Sequence, residues 1–288
     1  MPIHRPGVTG CLRPCGHGQA QNEKGRRNEE SLPAGGSAQE GRIEKQGRFS
    51  RVNSKAEDLL KGFQRACVAA GIDLVEGFPV ALYNRDVSEA YQLPTFGRAS
   101  PFGIVLGNSR AFWPKFLGAM KESQELREAE HPVNAYVTET VGRLLQDLPL
   151  ACEVRWAHTS EPSPVAMQRA AMIAGLAHTS PSYLSIHPEH GPWIALRAVI
   201  VLDEDWTSGE PAPAPDPCSP CPKPCLAALD RAVAASRHEP MGKKVSSNWK
   251  LWLAVRDACP MGRSSRYSDE QCEYHYRPDR TFLLSLFG

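Results

Sequence analysis

The most hydrophobic stretch of the chain is a ten-residue run from Trp193 to Leu202, WIALRAVIVL. Runs of this length that are rich in β-branched residues are typical of a fully buried strand. A strand that is buried on both faces needs other elements to cover each face. The run therefore predicts the central strand of a sheet, and the remaining segments must supply its cover.

One charged residue, Arg197, interrupts this run. An arginine keeps its charge in proteins, and a charge is costly to bury unless it is paired. Two interpretations remain open. In the first, Arg197 faces solvent or pairs with a carboxylate of the same chain, and in the second it meets an anionic ligand.

The N-terminal part of the chain has a composition unlike the rest. Residues 1–50 are rich in Gly, Pro, Gln, Arg and Glu, and the stretch from Asn22 to Phe49 has almost no aliphatic side chains. Such a stretch lacks the apolar surface that would offset the entropy of ordering it. We predict a disordered tail over residues 1–50 and one folded domain over residues 51–288, which begins with a helix capped by Ser54.

Periodicity along the domain indicates alternating strands and helices. It predicts strands over residues 78–83, 102–106 and 152–158, and helices over residues 133–148 and 165–177. Three short helices are expected in the last quarter of the chain, one of them opened by a capping box at Ser268. These elements alone predict an α/β or α+β domain with one sheet and covering helices.

The net charge argues against nucleic acid as a partner, and the lack of a long apolar run argues against a membrane span. The chain has 33 Lys+Arg against 32 Asp+Glu, a net charge of +1, so it lacks the basic surplus of a general nucleic-acid binder. No apolar run reaches the length of about 18 residues that a membrane span needs. The number of cysteines is odd, nine, and the chain lacks an apolar leader. Both features favour a reducing, cytoplasmic location. The alternative is organelle targeting by the first 22 residues, which contain no acidic residue.

A Pro-rich connection over residues 203–224 ends in three cysteines with C-x2-C-x3-C spacing: Cys218, Cys221 and Cys225. Three thiolates are soft ligands for zinc or an iron–sulfur cluster. Leu229 stands where a fourth cysteine is expected, and Cys259 is the only plausible remote substitute. The sequence therefore predicts a degenerate remnant without a metal, and a bound cluster is the alternative.

The segment SIHPEHGPW, Ser185 to Trp193, places two histidines, two prolines and a glycine before the central strand. This composition predicts a stiff turn that presents backbone groups to a ligand. His187 and His190 supply only two metal donors, which is too few for a typical zinc site. We therefore interpret them as hydrogen-bonded turn histidines.

Four strings in the C-terminal half point to a known family: SIHPEHGPWIALRAVIVL, NWKLWLAVRDA, RYSDEQCEYHY and DRTFLLSLFG. In this order and spacing they resemble the cobalamin-processing CblC (MMACHC) family, the cyanocobalamin reductases and alkylcobalamin dealkylases. The likeness runs from about residue 56 to residue 288 and is densest from Ala170 onward. It implies an α+β, flavin nitroreductase-like fold with a mainly antiparallel sheet covered by helices.

The resemblance also implies ligands. Members of this family bind cobalamin with its lower base displaced, expel cyanide with reduced FMN or FAD, and remove alkyl groups with glutathione. Three residues match the arginines that hold glutathione in the family: Arg197, Arg256 and Arg280. The residues that match cobalamin contacts are Val165, Ala166, Met167, Gln168, Ser185 and Leu196. Further pocket residues are His187, Trp193, Trp252 and Tyr267, and no catalytic residue is assigned.

Departures from the family pattern leave other functions open. Ser185 replaces a cysteine and Met172 replaces a histidine, so the natural upper ligand is not fixed by the resemblance. The alternatives are a noncatalytic cobalamin chaperone and an iron–sulfur, cobalamin-dependent reductase. Partners expected for any of these are cobalamin, glutathione and cobalamin-trafficking or cobalamin-dependent proteins, with the chain as a monomer or a flavin-induced homodimer.

Overall fold

A computed structural model of the chain describes residues 54–237 and 247–287. The predicted tail over residues 1–50 lies outside the described residues. The strands are β1 (Leu74–Pro79), β2 (Pro101–Asn108), β3 (Cys152–Trp156), β4 (His178–Thr179), β5 (Ser185–Ile186) and β6 (Ala195–Asp205). Four of them form an antiparallel sheet in the order β1-β2-β6-β3, and β4 pairs separately with β5. The apolar run is thus a central strand, as predicted.

Helices surround the sheet. The first six are α1 (Ser54–Ala69), α2 (Val80–Asp86), α3 (Phe112–Glu122), α4 (Gln124–Glu128), α5 (Pro132–Gln146) and α6 (Met167–Ile173). The last four are α7 (Pro224–Ser236), α8 (Trp249–Asp257), α9 (Asp269–Tyr276) and α10 (Arg280–Ser285). Within the described residues, no helix is both long and apolar enough to cross a membrane.

Alternation along the two central strands divides the interior into two cores. Ile104 in β2 and Ile200 in β6 face the core built with α1, α3 and α5, whereas Val105 and Val199 face the core built with α2 and α6. Successive side chains of a strand point to opposite faces, so two adjacent apolar strands supply both cores at once. The α+β prediction with a mainly antiparallel, helix-covered sheet is confirmed.

The ladder between β2 and β6 contains a register shift that changes the direction of one side chain. Leu106 is opposite Ala198, but Gly107 is opposite Leu196, which leaves Arg197 as an extra residue on β6. An extra residue of this kind is a β-bulge, and bulges redirect the side chains beside them. Arg197 consequently reaches Phe112 at the edge of the first core, while Leu196 packs on the second.

Most predicted elements are confirmed. The described residues contain α10 in addition to the three helices expected near the end of the chain, and two further corrections apply. The strand predicted over residues 78–83 is wrong in its second half, because β1 ends at Pro79, whose fixed φ suits the residue before the first turn of α2. The Pro-rich connection begins later than residue 203, because β6 continues to Asp205. Arg98 holds that extension with bonds of 2.6 Å to Asp203 and 2.8 Å to Asp205.

Candidate functional site

The guanidinium of Arg197 is buried beside a neutral partner. Its Nε donates to the amide oxygen Oδ1 of Asn108 at 2.6 Å, and its central carbon lies 5.1 Å from the ring centre of Phe112. Its Nη2 is buried and has no hydrogen-bond partner. Burial is also the main cause that lowers the pKa of this group. An arginine with a spare buried donor is a candidate binding group for an anion.

A second arginine, Arg256 on α8, lies close enough to Arg197 for their charges to interact. Its Nη1 donates to the carbonyl oxygens of Pro192 at 2.9 Å and Ile194 at 3.5 Å, which precede β6. Its Nε is buried without a partner. Arg256 therefore also keeps an unused donor.

No carboxylate neutralises these two charges within residues 54–237 and 247–287: neither guanidinium lies within ion-pair distance of an Asp or Glu. The alternative in which Arg197 pairs with an internal carboxylate is therefore wrong for the part of the chain that the structure describes. Two like charges kept together in the interior raise the free energy of the unliganded protein. An anion bound between them would relieve that cost.

Three titratable side chains near the arginines are neutral at neutral pH. Tyr267 has a buried hydroxyl with no partner, and burial raises its pKa to about 12. Burial and then the two arginine charges lower the pKa of His275 to about 3. Tyr274, on the same helix α9, has its pKa raised to about 12, again by burial. At neutral pH the pocket is therefore a positively charged one.

The stability of the domain should fall in mild acid because of His275. A histidine with an ordinary pKa of 6.5 in the unfolded chain and about 3 in the fold binds its proton first in the unfolded state. Stability from this group is present above pH 6.5 and is lost as the pH falls towards 3. Between pH 8 and pH 5 the expected loss in the free energy of unfolding is about 2 kcal/mol. Denaturant unfolding of wild type and His275→Gln at both pH values checks this. An equal change in the free energy of unfolding with pH in the two proteins would contradict it.

Two cavities meet at Arg256. The first, about 300 Å³, is lined by Met167, Gln168, Ser185 and Leu196 together with Arg256. We call it the α6 cavity. The second, about 530 Å³, has Tyr183, Leu184, Trp249, Trp252 and Tyr276 among its walls, again with Arg256. We call it the aromatic cavity.

The structure brings together most residues that the resemblance assigned to cobalamin. Met167, Gln168, Ser185 and Leu196 share the α6 cavity. Val165 and Ala166 lie at the entrance to α6 and pack against the second core. Met172, which replaces a histidine of the family, accepts a weak hydrogen bond from Arg169 on the exposed side of that helix.

The predicted glutathione residues separate into two places. Arg197, Arg256 and Tyr267 lie close enough to interact. Trp252 lies in the aromatic cavity, which Arg256 also lines, with its Nε1 bonded to Ser236 Oγ at 3.1 Å. Arg280 stands at the first position of α10, where it is exposed and its Nε donates to the carbonyl of Arg127 on α4 at 2.6 Å.

The turn before β6 has the form that its composition predicts. His187 and Gly191 exchange two backbone hydrogen bonds of 2.9 Å, and His187 Nδ1 accepts the N–H groups of Glu189 and His190. Burial lowers the pKa of His187 to about 4. His187 and His190 are therefore turn histidines, as interpreted. Trp193 follows the turn as a buried core residue, packed edge-on against Tyr267 at 5.6 Å.

Several residues of the site carry no sequence signal of their own. Asn108 only ends an apolar strand, and Phe112 resembles any core residue of α3. His275 and Tyr276 lie inside the string RYSDEQCEYHY, so the resemblance pointed to their segment but not to their position. Only the fold places these side chains around two arginines that are 59 residues apart in sequence (256 minus 197).

No protein-family model matches the chain. It is 28% identical to the cyanocobalamin reductase / alkylcobalamin dealkylase of Bos taurus over 257 residues, which is 82% of each chain. It is also 28% identical to the protein of that name from Homo sapiens, with 83% of each chain covered.

In three dimensions the chain is similar to a crystal structure of the B12-trafficking protein CblC of C. elegans. The TM-score is 0.58 at 16% identity, over 79% of this chain and 95% of the other. This likeness confirms the fold that the motifs implied.

Proposed function

We propose, from the confirmed resemblance of this chain to the cyanocobalamin reductases / alkylcobalamin dealkylases, that it removes the upper axial ligand of cobalamin. Two routes are proposed: reductive removal of cyanide by reduced FMN or FAD, and removal of an alkyl group by glutathione. The observation that carries the second route is the pair Arg197 and Arg256, each with a buried unused donor, of which Arg256 lines both cavities.

The α6 cavity is the proposed contact for cobalamin. Its walls combine apolar side chains with the amide of Gln168 and the hydroxyl of Ser185. A volume of about 300 Å³ receives one edge of a corrin ring and its side-chain amides, not the whole cofactor. Gln168 is held in place because its Nε2 donates to the carbonyl of Tyr183 at 2.7 Å.

The arginine pair is the proposed contact for the carboxylates of glutathione. A guanidinium binds a carboxylate through two parallel charge-assisted hydrogen bonds. The unused Nη2 of Arg197, Nε of Arg256 and hydroxyl of Tyr267 are donors that such an anion would satisfy. The peptide would extend into the aromatic cavity, which begins at Arg256 and adjoins the α6 cavity.

The proposed dealkylation is a displacement at the alkyl carbon. The thiolate sulfur of glutathione forms a bond to that carbon, the cobalt–carbon bond breaks, and its electron pair stays on the cobalt as Co(I). Positive charge from Arg197 and Arg256 favours the thiolate over the thiol. In the other route, reduced flavin would supply the electron that releases cyanide.

Incubation of the purified full chain with methylcobalamin or cyanocobalamin tests the proposal. With glutathione, the absorption bands of methylcobalamin should disappear and the methyl thioether of glutathione should form. With reduced flavin, cyanocobalamin should be converted to cob(II)alamin. Ultraviolet–visible spectra and mass spectrometry follow both. Cobalamin binding without either reaction would contradict the enzyme and support a noncatalytic carrier.

The position of Arg280 leads to a separate prediction. Because its guanidinium is exposed and bonded to the carbonyl of Arg127, its contribution to anion binding should be that of a surface charge, about 0 to 1 kcal/mol. Arg280→Gln should therefore weaken the apparent glutathione affinity at most about fivefold. Initial dealkylation rates against glutathione concentration measure this. A loss of tenfold or more would restore the three-arginine clamp that the resemblance implies.

A further inference from the structure

Asn108 is the last residue of β2, and its side chain is completely buried. Its Oδ1 accepts the Nε–H of Arg197 at 2.6 Å, and its Nδ2 donates to the carbonyl of Ser109 at 2.9 Å. Both ends of the amide are therefore bonded. Since a guanidinium can only donate and a carbonyl can only accept, these two bonds fix which end of the amide faces the arginine.

A carboxylate fixes the backbone on which Asn108 stands. Asp73, which directly precedes β1, accepts the backbone N–H of Ser109 at 2.7 Å through Oδ1 and the hydroxyl of Ser109 at 2.5 Å through Oδ2. Ser109 is itself buried. Both oxygens of Asp73 are thus engaged by the residue that follows Asn108, so the end of β2 is anchored at this point.

The bond to Asn108 decides which part of the Arg197 guanidinium a ligand can reach. Its Nε is occupied by Asn108, its buried Nη2 has no partner, and the ring of Phe112 lies 5.1 Å from its central carbon. A guanidinium carries its five donors in a fixed plane, so a bond at Nε sets the direction of the others. An anion that reaches Arg197 must therefore bind through the terminal nitrogens.

The chemical type of residue 108 also decides the charge of the site. Asparagine and aspartate have nearly the same shape, and either could accept the bond from Arg197. Aspartate would cancel the charge of Arg197 in an internal ion pair, whereas the amide accepts the bond and leaves the charge for a ligand. Asn108 therefore combines a fixed guanidinium with an uncompensated positive charge.

We propose that Asn108 is the positioning residue that makes the pair Arg197 and Arg256 select an anionic thiol over a neutral one. It directs the terminal nitrogens of Arg197 and, as an amide, keeps the site positively charged. This inference rests on the proposed thiol-dependent reaction and adds the property by which the site recognises its thiol, which is carboxylate charge. A neutral thiol would lack the contact with the arginines.

Asn84 shows how a structural amide of the same domain is bonded. Its Nδ2 donates to the carbonyl of Leu93 at 2.9 Å, and its Oδ1 accepts the N–H of the same residue at 2.8 Å. Both of these partners are backbone groups. Asn84→Asp loses an amide donor to a carbonyl, as Asn108→Asp does, and it gains no bond to a guanidinium. It is therefore the matched control.

Initial rates of methylcobalamin dealkylation by the full chain test the proposal, with glutathione and with the neutral thiol 2-mercaptoethanol. In Asn108→Asp the KM for glutathione should rise about tenfold or more, because the new carboxylate pairs with Arg197 in place of the ligand. The rate with 2-mercaptoethanol should fall at most about threefold, through the weaker stabilisation of its thiolate. The control Asn84→Asp should lower the melting temperature by about 2–6 °C and keep the wild-type preference for glutathione. Asn108→Asp should lower it less, since the ion pair with Arg197 offsets the lost bond to Ser109.

Glutarate, a dicarboxylate without a thiol, tests the anion site apart from any reaction. At saturating concentration it should raise the melting temperature of wild type by about 2–5 °C and that of Asn108→Asp by less than about 1 °C. It should also compete with glutathione in wild type. The wild-type measurements need no variant to fold.

Three results would overturn the proposal. The first is an unchanged KM for glutathione in Asn108→Asp. The second is an equal loss of both thiol reactions in that variant, with a fall in melting temperature as large as in Asn84→Asp, which would make Asn108 a structural residue. The third is a wild type that glutarate does not stabilise or that uses both thiols equally well. If wild type reacts with neither thiol, but glutarate stabilises it and not Asn108→Asp, the proposed reaction alone is refuted and the anion site with its positioning residue stands.

Discussion

Arg197→Gln should lower the apparent affinity for glutathione about ten- to a hundredfold, because it removes a charge-assisted contact of about 1.5–3 kcal/mol. The thermal midpoint should stay unchanged or rise. The reason is that the guanidinium of Arg197 is buried with a neutral partner, Asn108, and no carboxylate among the described residues offsets its charge. Glutathione-dependent loss of methylcobalamin and a melting curve on the same preparation measure both effects.

Two controls make this result specific. Arg197→Lys should rescue only part of the affinity, since an ammonium ion cannot form the planar pair of bonds that a guanidinium forms. Removal of cyanide by reduced flavin should persist in Arg197→Gln, because no thiol takes part in it. If the melting temperature, cobalamin affinity and both reactions fall together, Arg197 is a structural residue and the glutathione contact is refuted.

Gly262→Ala should destabilise the domain by about 2–5 kcal/mol, a drop of about 5–15 °C in melting temperature. Gly262 has φ +64°, and a Cβ at this position would overlap the backbone of His190. Gly191, with φ +56°, faces the backbone of Met261 in the same way. Two stretches of backbone meet here without side chains between them, so no rotamer change can relieve the overlap.

The matched control for this variant is Gly142→Ala. Gly142 lies inside α5, and a Cβ there would meet nothing within 4 Å. Replacing an unconstrained helical glycine by alanine should raise stability by about 0.5–1 kcal/mol. Denaturant unfolding of both variants gives the comparison. Equal stability of Gly262→Ala and wild type would show that the two turns do not pack as described.

Gly262→Ala should also weaken glutathione binding. Arg256 is positioned by the carbonyls of Pro192 and Ile194, which follow the turn that Gly262 supports. A displaced turn would move these acceptors and with them the guanidinium. The dealkylation assay on the folded fraction of the variant checks this effect. An unchanged dependence of the rate on glutathione concentration would show that the turn does not position Arg256.

The sequence by itself determined the elements whose signals are local. The run from Trp193 to Leu202 predicted the central strand, because the signal of a strand buried on both faces is simply a continuous run of apolar residues. Ser268 predicted the start of α9, and its Oγ accepts the N–H of Gln271 at 3.2 Å. The four strings of the C-terminal half predicted the family resemblance that the comparisons confirmed.

The tertiary structure decided everything that depends on residues far apart in the chain. A one-residue bulge in the β2–β6 ladder set the direction of Arg197, and no feature of the strand's own composition specifies its register against β2. The approach of Cys259 to Cys218, Cys221 and Cys225 depends on how α8 packs against α7. Arg280 matches the family by sequence, but helix packing places it on the carbonyl of Arg127. Local propensity fixes where elements form, whereas the packing of those elements fixes which side chains meet.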